Sequence, residues 1–417
     1  MVDTLRADHM STYGYERETT PFIDGLASES VVFERARSQA ACTFPSVNSL
    51  LTSRYAFDFY RQEAREMGIP EEYPTLAELL AAGGYQTVAI SASPIVRATG
   101  SDENPNGGFG RGFQTFDETC LWNTAECVNR VARELVDDLQ EPFFLYLHYM
   151  DPHGHYAPPE SYQRRFAGPY EGHDFIAVGD HNPIGDMLYA DGPELEITER
   201  DIQHLVDLYD DEIRYFDGQL QALLNPWIES DLLDRSLLVI TSDHGEEFME
   251  HGQVGHCRGV WDTLTRVPLI MRIPEVAGGH RIESAVQLID VVPTLLDELA
   301  IESAGVAAEG VSLTGVLRGG PATRQYAFTD QSRYRAVDDG RLQFVLDGAD
   351  FTAAIFNVQK DPLAQHDLFT GSHPEVERLG AALNRWLDET GQWINFDAAL
   401  AAAKAKEEEL RALGYLR

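Results

Sequence analysis

Three separated stretches of this 417-residue chain carry side chains that could do chemistry together. Asp3 follows Met1 and Val2 at the very start, MDPHGHY holds Asp151, His153 and His155, and SDHGEEF holds Asp243 and His244. Each stretch comes directly after apolar residues that read as a strand. One aspartate in such a place is ordinarily a helix cap or a turn residue. Carboxylates past three strands, two of them with histidine close by, read instead as metal ligands converging beyond the carboxyl ends of a parallel sheet. A mixed carboxylate and imidazole set suits Mn, Zn or Mg, and less well Ca, which prefers an all-oxygen shell. A hydroxyl beside such a cation loses its proton more readily and becomes a nucleophile near neutral pH. The stretch ACTFPSVNSLLTS supplies one. Pro45 suits the first turn of a helix through VNSLLTS, which puts Thr43 at its positive end, where an oxyanion is stabilised. Taken alone, Thr43 would be an ordinary N-cap.

The elements that must position these groups follow from periodicity. Continuous apolar runs over 87–93, 143–150, 237–242 and 267–273 predict buried strands. Amphipathic patterns over 75–84, 127–139, 197–224 and 291–300 predict helices between and after them. The alternation indicates an α/β fold, a mostly parallel sheet covered by helices on both faces. Gly- and Pro-rich text over 101–113 and the acidic stretch 166–196 read as surface loops. A small, Gly-rich passage at 300–325 places a boundary near 320. The predicted domains are therefore 1–320, catalytic, and 321–417, a small C-terminal subdomain with antiparallel strands near QYAFTD, RLQFVLD and TAAIFNV and a final helix over 396–416.

Charge limits the partners. Asp and Glu number 68 against 32 Lys and Arg, a formal net charge of −36, and the only lysines are Lys360, Lys404 and Lys406. Such a surface repels nucleic acid and anionic membranes. It fits a halophilic protein kept soluble in high salt, although a GC-rich genome would also favour arginine. A protein this acidic that handles phosphate or sulfate esters needs a locally positive pocket, and a metal ion is the direct means. The four cysteines, Cys42, Cys120, Cys127 and Cys257, are too few and scattered for a disulfide framework or a CxxC zinc site. Free thiols are expected: Cys120 and Cys127 on one helix would lie roughly 10 Å apart. There is no 18-residue apolar run and no signal-peptide pattern, so no stable membrane insertion is expected of this chain and it reads as cytoplasmic.

The ordered set of motifs is similar to the sulfatase-like branch of the alkaline phosphatase superfamily. VDTLRADHMSTYGYERETTPFIDGLA resembles the family's opening and TFPSVNSLLTS its nucleophile segment. FLYLHYMDPHGHY, TSDHGEEFMEHG, GHCRGVWDTLTRVPLI and QLIDVVPTLLDEL follow in the family's order, and FNVQKDPLAQHDLF and RALGYL resemble its C-terminal features. The resemblance implies an alkaline phosphatase-like fold and metal ligation by Asp3, Thr43, Asp243 and His244. It implies Thr43 as nucleophile, His153 against the transferred group, and His256 binding substrate or protonating the leaving group.

The departures from the family pattern shape the expected reaction. Formylglycine sulfatases use C-x-P-x-R, with the modified cysteine two residues before proline; here that position is Thr43, Cys42 is one residue early, and Val47 replaces the arginine. No formylglycine is expected. A threonine ester cannot expel sulfate by collapsing to an aldehyde, so the register favours phosphoryl transfer, as in phosphodiesterase and phosphotransferase relatives. The substrate would be a small-molecule, glycan-linked or lipid-linked phosphate or sulfate ester. Thr4 stands where a second aspartate is common and Ser93 where an asparagine is common. His155 replaces the usual proline after DPHG, so that Asp151 and His155 resemble a ligand pair for a second metal. The family's first strand is represented by Met1 and Val2 alone, from which a truncated start is expected, one that leaves room for an upstream targeting segment; with Met1 as the true start, Asp3 would be poorly fixed. Two alternatives are a true sulfuric ester hydrolase and a degenerate, non-catalytic binding protein.

Overall fold

The computed structural model describes residues 1–59, 69–100, 108–172, 197–302, 307–349, 352–369 and 374–391. Its strands in chain order are β1 (Val31–Arg37), β2 (Gln86–Ser91), β3 (Thr115–Asp117), β4 (Phe143–His148), β5 (Leu238–Thr241), β6 (Glu247–Phe248), β7 (Val254–Gly255), β8 (Arg266–Arg272), β9 (His280–Ile282), β10 (Val286–Gln287), β11 (Ala327–Gln331), β12 (Tyr334–Asp338), β13 (Gln343–Asp347) and β14 (Thr352–Phe356). The helices are α1 (Pro21–Ala27), α2 (Thr43–Thr52), α3 (Leu76–Ala82), α4 (Ala125–Val136), α5 (Glu199–Glu229), α6 (Asp262–Thr265), α7 (Val291–Glu298), α8 (Thr314–Leu317) and α9 (Pro374–Glu389).

Two hydrogen-bonded groups of strands form the main layer. In one, β2 lies between β3 and β4, all parallel. In the other, β8 runs antiparallel to both β5 and β1, and β9 and β10 extend β1 in parallel. Val2 bridges Tyr149 just past β4 and Ser242 just past β5, both in parallel sense. Met1–Asp3 thus fill the slot between the two groups and join them into one mixed sheet. Asp3 is not poorly fixed: the Val2 N–H donates to Thr241 O (3.0 Å) and the Asp3 N–H to Tyr149 O (2.9 Å). The stretch 267–273, expected within a mostly parallel sheet, is the reversed strand β8. Its partner β1, VVFERAR, is absent from the expected strands: its three apolar residues are followed by charged ones, although the strand has no exposed residue.

The sheet is covered on both faces because its apolar residues alternate. Val32, Ile90, Ile240 and Ile270 point into one core with α1, α4 and α5. Val31, Phe33, Ala89, Leu269 and Met271 point into the other with α2, α3 and α7. Capping boxes start α3 at Thr75 with Glu78, and α5 at Thr198 with Asp201. Strands β11 to β14 form a separate four-stranded antiparallel sheet in simple meander order. Phe344, Leu346 and Ile355 pack with α9 and with Tyr55 and Phe57 of the larger layer. The helix expected over 396–416 and most of the loop 166–196 lie outside the described residues.

The cysteines correct the expectation of free thiols. Cys42 is bonded to Cys257 and Cys120 to Cys127, with Cα separations of 4.9 and 5.7 Å. Cys120 precedes α4 in a turn while Cys127 is in its first turns, so helical spacing does not separate them. Cys42 and Cys257 are 215 residues apart and meet only through the fold.

Candidate active site

The parallel strands all end at one edge, and the residues just beyond them converge there. Asp3 leaves the bridging segment, His148 ends β4, Asp243 and His244 follow β5, and Thr43 opens α2 after β1. Thr4 adopts φ 55°, a left-handed turn unusual for a β-branched residue. The turn is fixed by the Tyr209 hydroxyl, which donates to Thr4 O (2.7 Å) and accepts from the Arg6 N–H (2.9 Å).

His244 Nε2 is the common neighbour. It lies 3.2 Å from Thr43 Oγ1, 3.4 Å from Asp243 Oδ2 and 3.9 Å from Asp3 Oδ1. His148 Nε2 lies 3.3 Å from Asp3 Oδ2. Asp3, His148 and Asp243 each offer a ligand atom within 4.8 Å of the other two, and all three are buried. Asp3 Oδ1 and Asp243 Oδ2 are enclosed and without a hydrogen-bond partner. Buried carboxylate oxygens left unpaired are costly, and a cation between them removes that cost. The residues therefore fit a metal ion. The electrostatics agree: burial, then the facing Asp3 carboxylate, pushes Asp243 up to about 7. Burial also pushes Asp3 upward, but His153, His148 and His244 outweigh it and hold Asp3 below the usual carboxylate range.

His148 was missed from the sequence. Its signal was available: it is the last residue of the strand feeding the site, and Tyr146, on the same face, hydrogen-bonds its Nδ1 at 2.9 Å. A ring whose Nδ1 is so occupied has Nε2 aimed at the acidic cluster.

His153 and His256 form the outer wall. The His256 ring lies 4.5 Å from that of His244 and 5.1 Å from that of His153, between centroids. Hairpin register sets its orientation. Glu247 pairs with Gly255 and Phe248 with Val254, so Glu246 and His256 are the next opposed pair. Glu246 Oε1 is 2.8 Å from His256 Nδ1, and the Tyr156 hydroxyl donates to Glu246 Oε2 at 3.0 Å. Burial would lower the His256 pKa, but the Glu246 carboxylate outweighs it and raises it. Arg6 donates to Glu246 O (2.9 Å) and to the Glu250 carboxylate (2.6 Å), tying the opening segment to this hairpin. Glu246 and Tyr156 were also missed, since each lies in an irregular stretch just past a histidine and leaves no period to read.

Asp151, expected with His155 as a ligand pair for a second metal, is engaged on one side by the backbone. Its Oδ2 accepts the Ala125 N–H at 2.7 Å, at the start of α4, and burial pushes it up to about 7. Its charge couples to buried Glu212 of α5, whose own pKa is raised by burial and by Asp151. The ring of His155 is half-buried, and burial lowers its pKa, with His153 adding to the effect.

The segments that carry Thr43 and His256 are joined three times. Cys42 and Cys257, next to Thr43 and His256, are bonded. The Cys257 N–H donates to Ala41 O at 2.8 Å. The Gln331 amide, from β11, accepts the Ala41 N–H (3.1 Å) and donates to Cys257 O (3.2 Å).

Comparisons with known proteins give the family and the fold. The family model described as Sulfatase matches residues 1–301. The chain is 25% identical to the choline-sulfatase of Rhizobium meliloti (strain 1021) over 316 residues, 70% of this chain and 59% of that protein. It is 27% identical to arylsulfatase K of Homo sapiens over 191 residues, 42% of this chain and 35% of that protein. The chain spans about three fifths or less of the length of these relatives. Among solved structures, the phosphonate monoester hydrolase of Agrobacterium radiobacter superposes with a TM-score of 0.73 at 18% identity, covering 94% of both chains. A second structure, solved with its substrate D-glucosamine-2-N,6-O-disulfate, gives 0.74 at 18% identity and covers 94% of this chain and 96% of that one. At such identity the likeness carries the fold.

Proposed function

Given that this chain belongs to the sulfatase family and has its alkaline phosphatase-like α/β fold, we propose that it hydrolyses or transfers phosphate esters through Thr43 as nucleophile. The observation that carries the reading is the Thr43 hydroxyl, 3.2 Å from His244 Nε2 and at the N-terminus of α2. Cys42 supports it from the other side. Its sulfur is engaged with Cys257, so it is not available for conversion to an aldehyde.

Asp3, Asp243, His244 and His148 would hold a divalent cation, with Mn, Zn or Mg favoured by the mixed donors. When bound, such a cation acidifies a neighbouring hydroxyl and neutralises charge on the transferred group. Thr43 Oγ1 forms a bond to phosphorus as the bond to the alcohol oxygen breaks. The Thr43 proton goes to solvent, and the alcohol oxygen takes a proton from His256, which Glu246 holds in place. His153 faces the same space and binds the transferred group. Water or an acceptor alcohol then releases the phosphoryl group from Thr43. The closed set of donors speaks against a degenerate binder. The relatives' names keep sulfate esters as the second substrate to test, and the phosphodiester to monoester order is set by the assay. The two disulfides favour an oxidising compartment over the cytoplasm.

The test assays aryl phosphodiester, aryl phosphate monoester and aryl sulfate with Mn, Zn, Mg or Ca, using wild type, Thr43→Ala, Cys42→Ala and Cys257→Ala. Thr43→Ala is expected to lower turnover by about 10³-fold or more, as for loss of a nucleophile. Cys42→Ala and Cys257→Ala should behave alike, each losing only what the bridge contributes. Full loss in Cys42→Ala with activity kept in Cys257→Ala would replace the threonine mechanism with a formylglycine one.

A further inference from the structure

Trp122 stands at the mouth of the site in a conformation that its own packing does not explain. Its side chain is 62% exposed, and among the described residues it is the one aromatic in the group of large exposed apolar side chains. Its backbone has φ 55°, the left-handed region that a bulky residue rarely occupies and that glycine or asparagine would occupy more cheaply. The loop nevertheless fixes it there. The Trp122 N–H donates to Ala92 O at 2.9 Å, just past β2, and the Asn123 N–H to Cys120 O at 2.9 Å. The Cys120–Cys127 bond closes the loop around it. Strained backbone maintained by surrounding structure is typical of ligand clamps.

The indole also has a direction. Its ring centroid lies 6.3 Å from that of His153, edge to face, and His153 leads on to His256, His244 and Thr43. A line of rings therefore runs from solvent to the nucleophile. A group bound with its ester at Thr43 and its alcohol portion pointing outward passes His153 and meets the indole.

We propose that Trp122 is the platform of a leaving-group subsite, on which a neutral ring of the ester's alcohol, aryl or pyranosyl, lies with its face against the indole. The inference rests on the reading of Thr43 as the ester-cleaving nucleophile and names the substrate class for that site. An indole face attracts the π face of an aryl ring or the C–H face of a sugar. The overall charge of −36 opposes a multiply charged anionic chain, so the ring carries the single ester as its anionic group.

The test compares kcat/KM for 4-nitrophenyl phosphate, a pyranose 6-phosphate and methyl phosphate in the intact, metal-supplemented protein. Trp122→Ala should lower the ratio of ring ester to methyl ester by about 10-fold, through KM, the effect expected for loss of one stacking partner. Trp122→Phe should restore it for the aryl ester. Leu368→Ala, another exposed apolar side chain, should leave the ratio unchanged. The two ring substrates tell an aryl from a pyranosyl preference. An unchanged ratio in Trp122→Ala overturns the subsite while leaving the Thr43 mechanism in place. If wild type cleaves none of these monoesters, the Thr43 mechanism is judged by the phosphodiester assay above, and the subsite by titrating 4-nitrophenol and methyl glucopyranoside. Indole quenching or a shift present in wild type and lost in Trp122→Ala upholds it, and identical titrations overturn it.

Discussion

The proposed acid role of His256 requires its ring to be held with Nε2 toward the ester. Glu246 holds it, and Tyr156 holds Glu246. Glu246→Gln keeps the size of the side chain and removes the charge that pairs with the imidazolium. The expected loss is roughly 10- to 100-fold for phenyl esters, whose leaving oxygen needs a proton, and much less for 4-nitrophenyl esters. Metal content, measured on the same samples, should remain that of wild type; an equal loss on both esters would make Glu246 a structural residue only. Tyr156→Phe should repeat the pattern more weakly. At this scale the sequence was informative where residue type and neighbourhood coincide. Asp3, Thr43, Asp243, His244, His153 and His256 could be named because each sits beside a strand end or in a motif. His148 ends a strand that reads as purely apolar. Glu246 matters through a hairpin of two-residue strands, too short to leave a period.

Helix α4 begins where a buried carboxylate meets its free N–H groups. Asp151 accepts the Ala125 N–H while sharing its surroundings with Glu212 of α5, and burial pushes Asp151 up to about 7. The unfolded group titrates near 3.9, so the folded state holds the proton more tightly. Stability from this group is therefore greatest below about pH 4, declines as pH rises toward 7 and is lost above it. Asp151→Asn keeps an acceptor for Ala125 and removes the charge. Thermal unfolding should show the variant gaining on wild type as pH rises from 4 to 8, by on the order of a few kcal/mol. A constant difference across that range would contradict the pairing. Helices were legible because α5 and α7 keep an apolar stripe, as do the long buried strands. Strand direction was not legible: β8 is as apolar as the parallel strands β2 and β4, and only its hydrogen-bond register shows it antiparallel to β1 and β5. Nor was the place of Cys120 outside α4, which depends on a turn that helical spacing ignores.

Charge acts on the whole molecule. A net −36 repels itself, and much of the arginine is already committed to acidic partners, as in Arg17 with Asp207 and Asp210. Screening should relieve repulsion more than it weakens such pairs. The melting temperature is expected to climb by several degrees between 0.2 and 2 M KCl, and a fall would end the halophilic reading. Composition alone raised that reading, whereas contact between the two sheets could not be read from it: Gln331 of the small sheet reaches Ala41 and Cys257 beside Thr43 and His256. The Cys42–Cys257 bond has one more consequence. It makes the chain from Cys42 to Cys257 a closed ring, so a protease nick anywhere inside that ring would cut the polypeptide without parting its pieces. Clipped protein would run as one species on a non-reducing gel and as two after reduction, and the proposed activity should survive the cut until the thiols are freed.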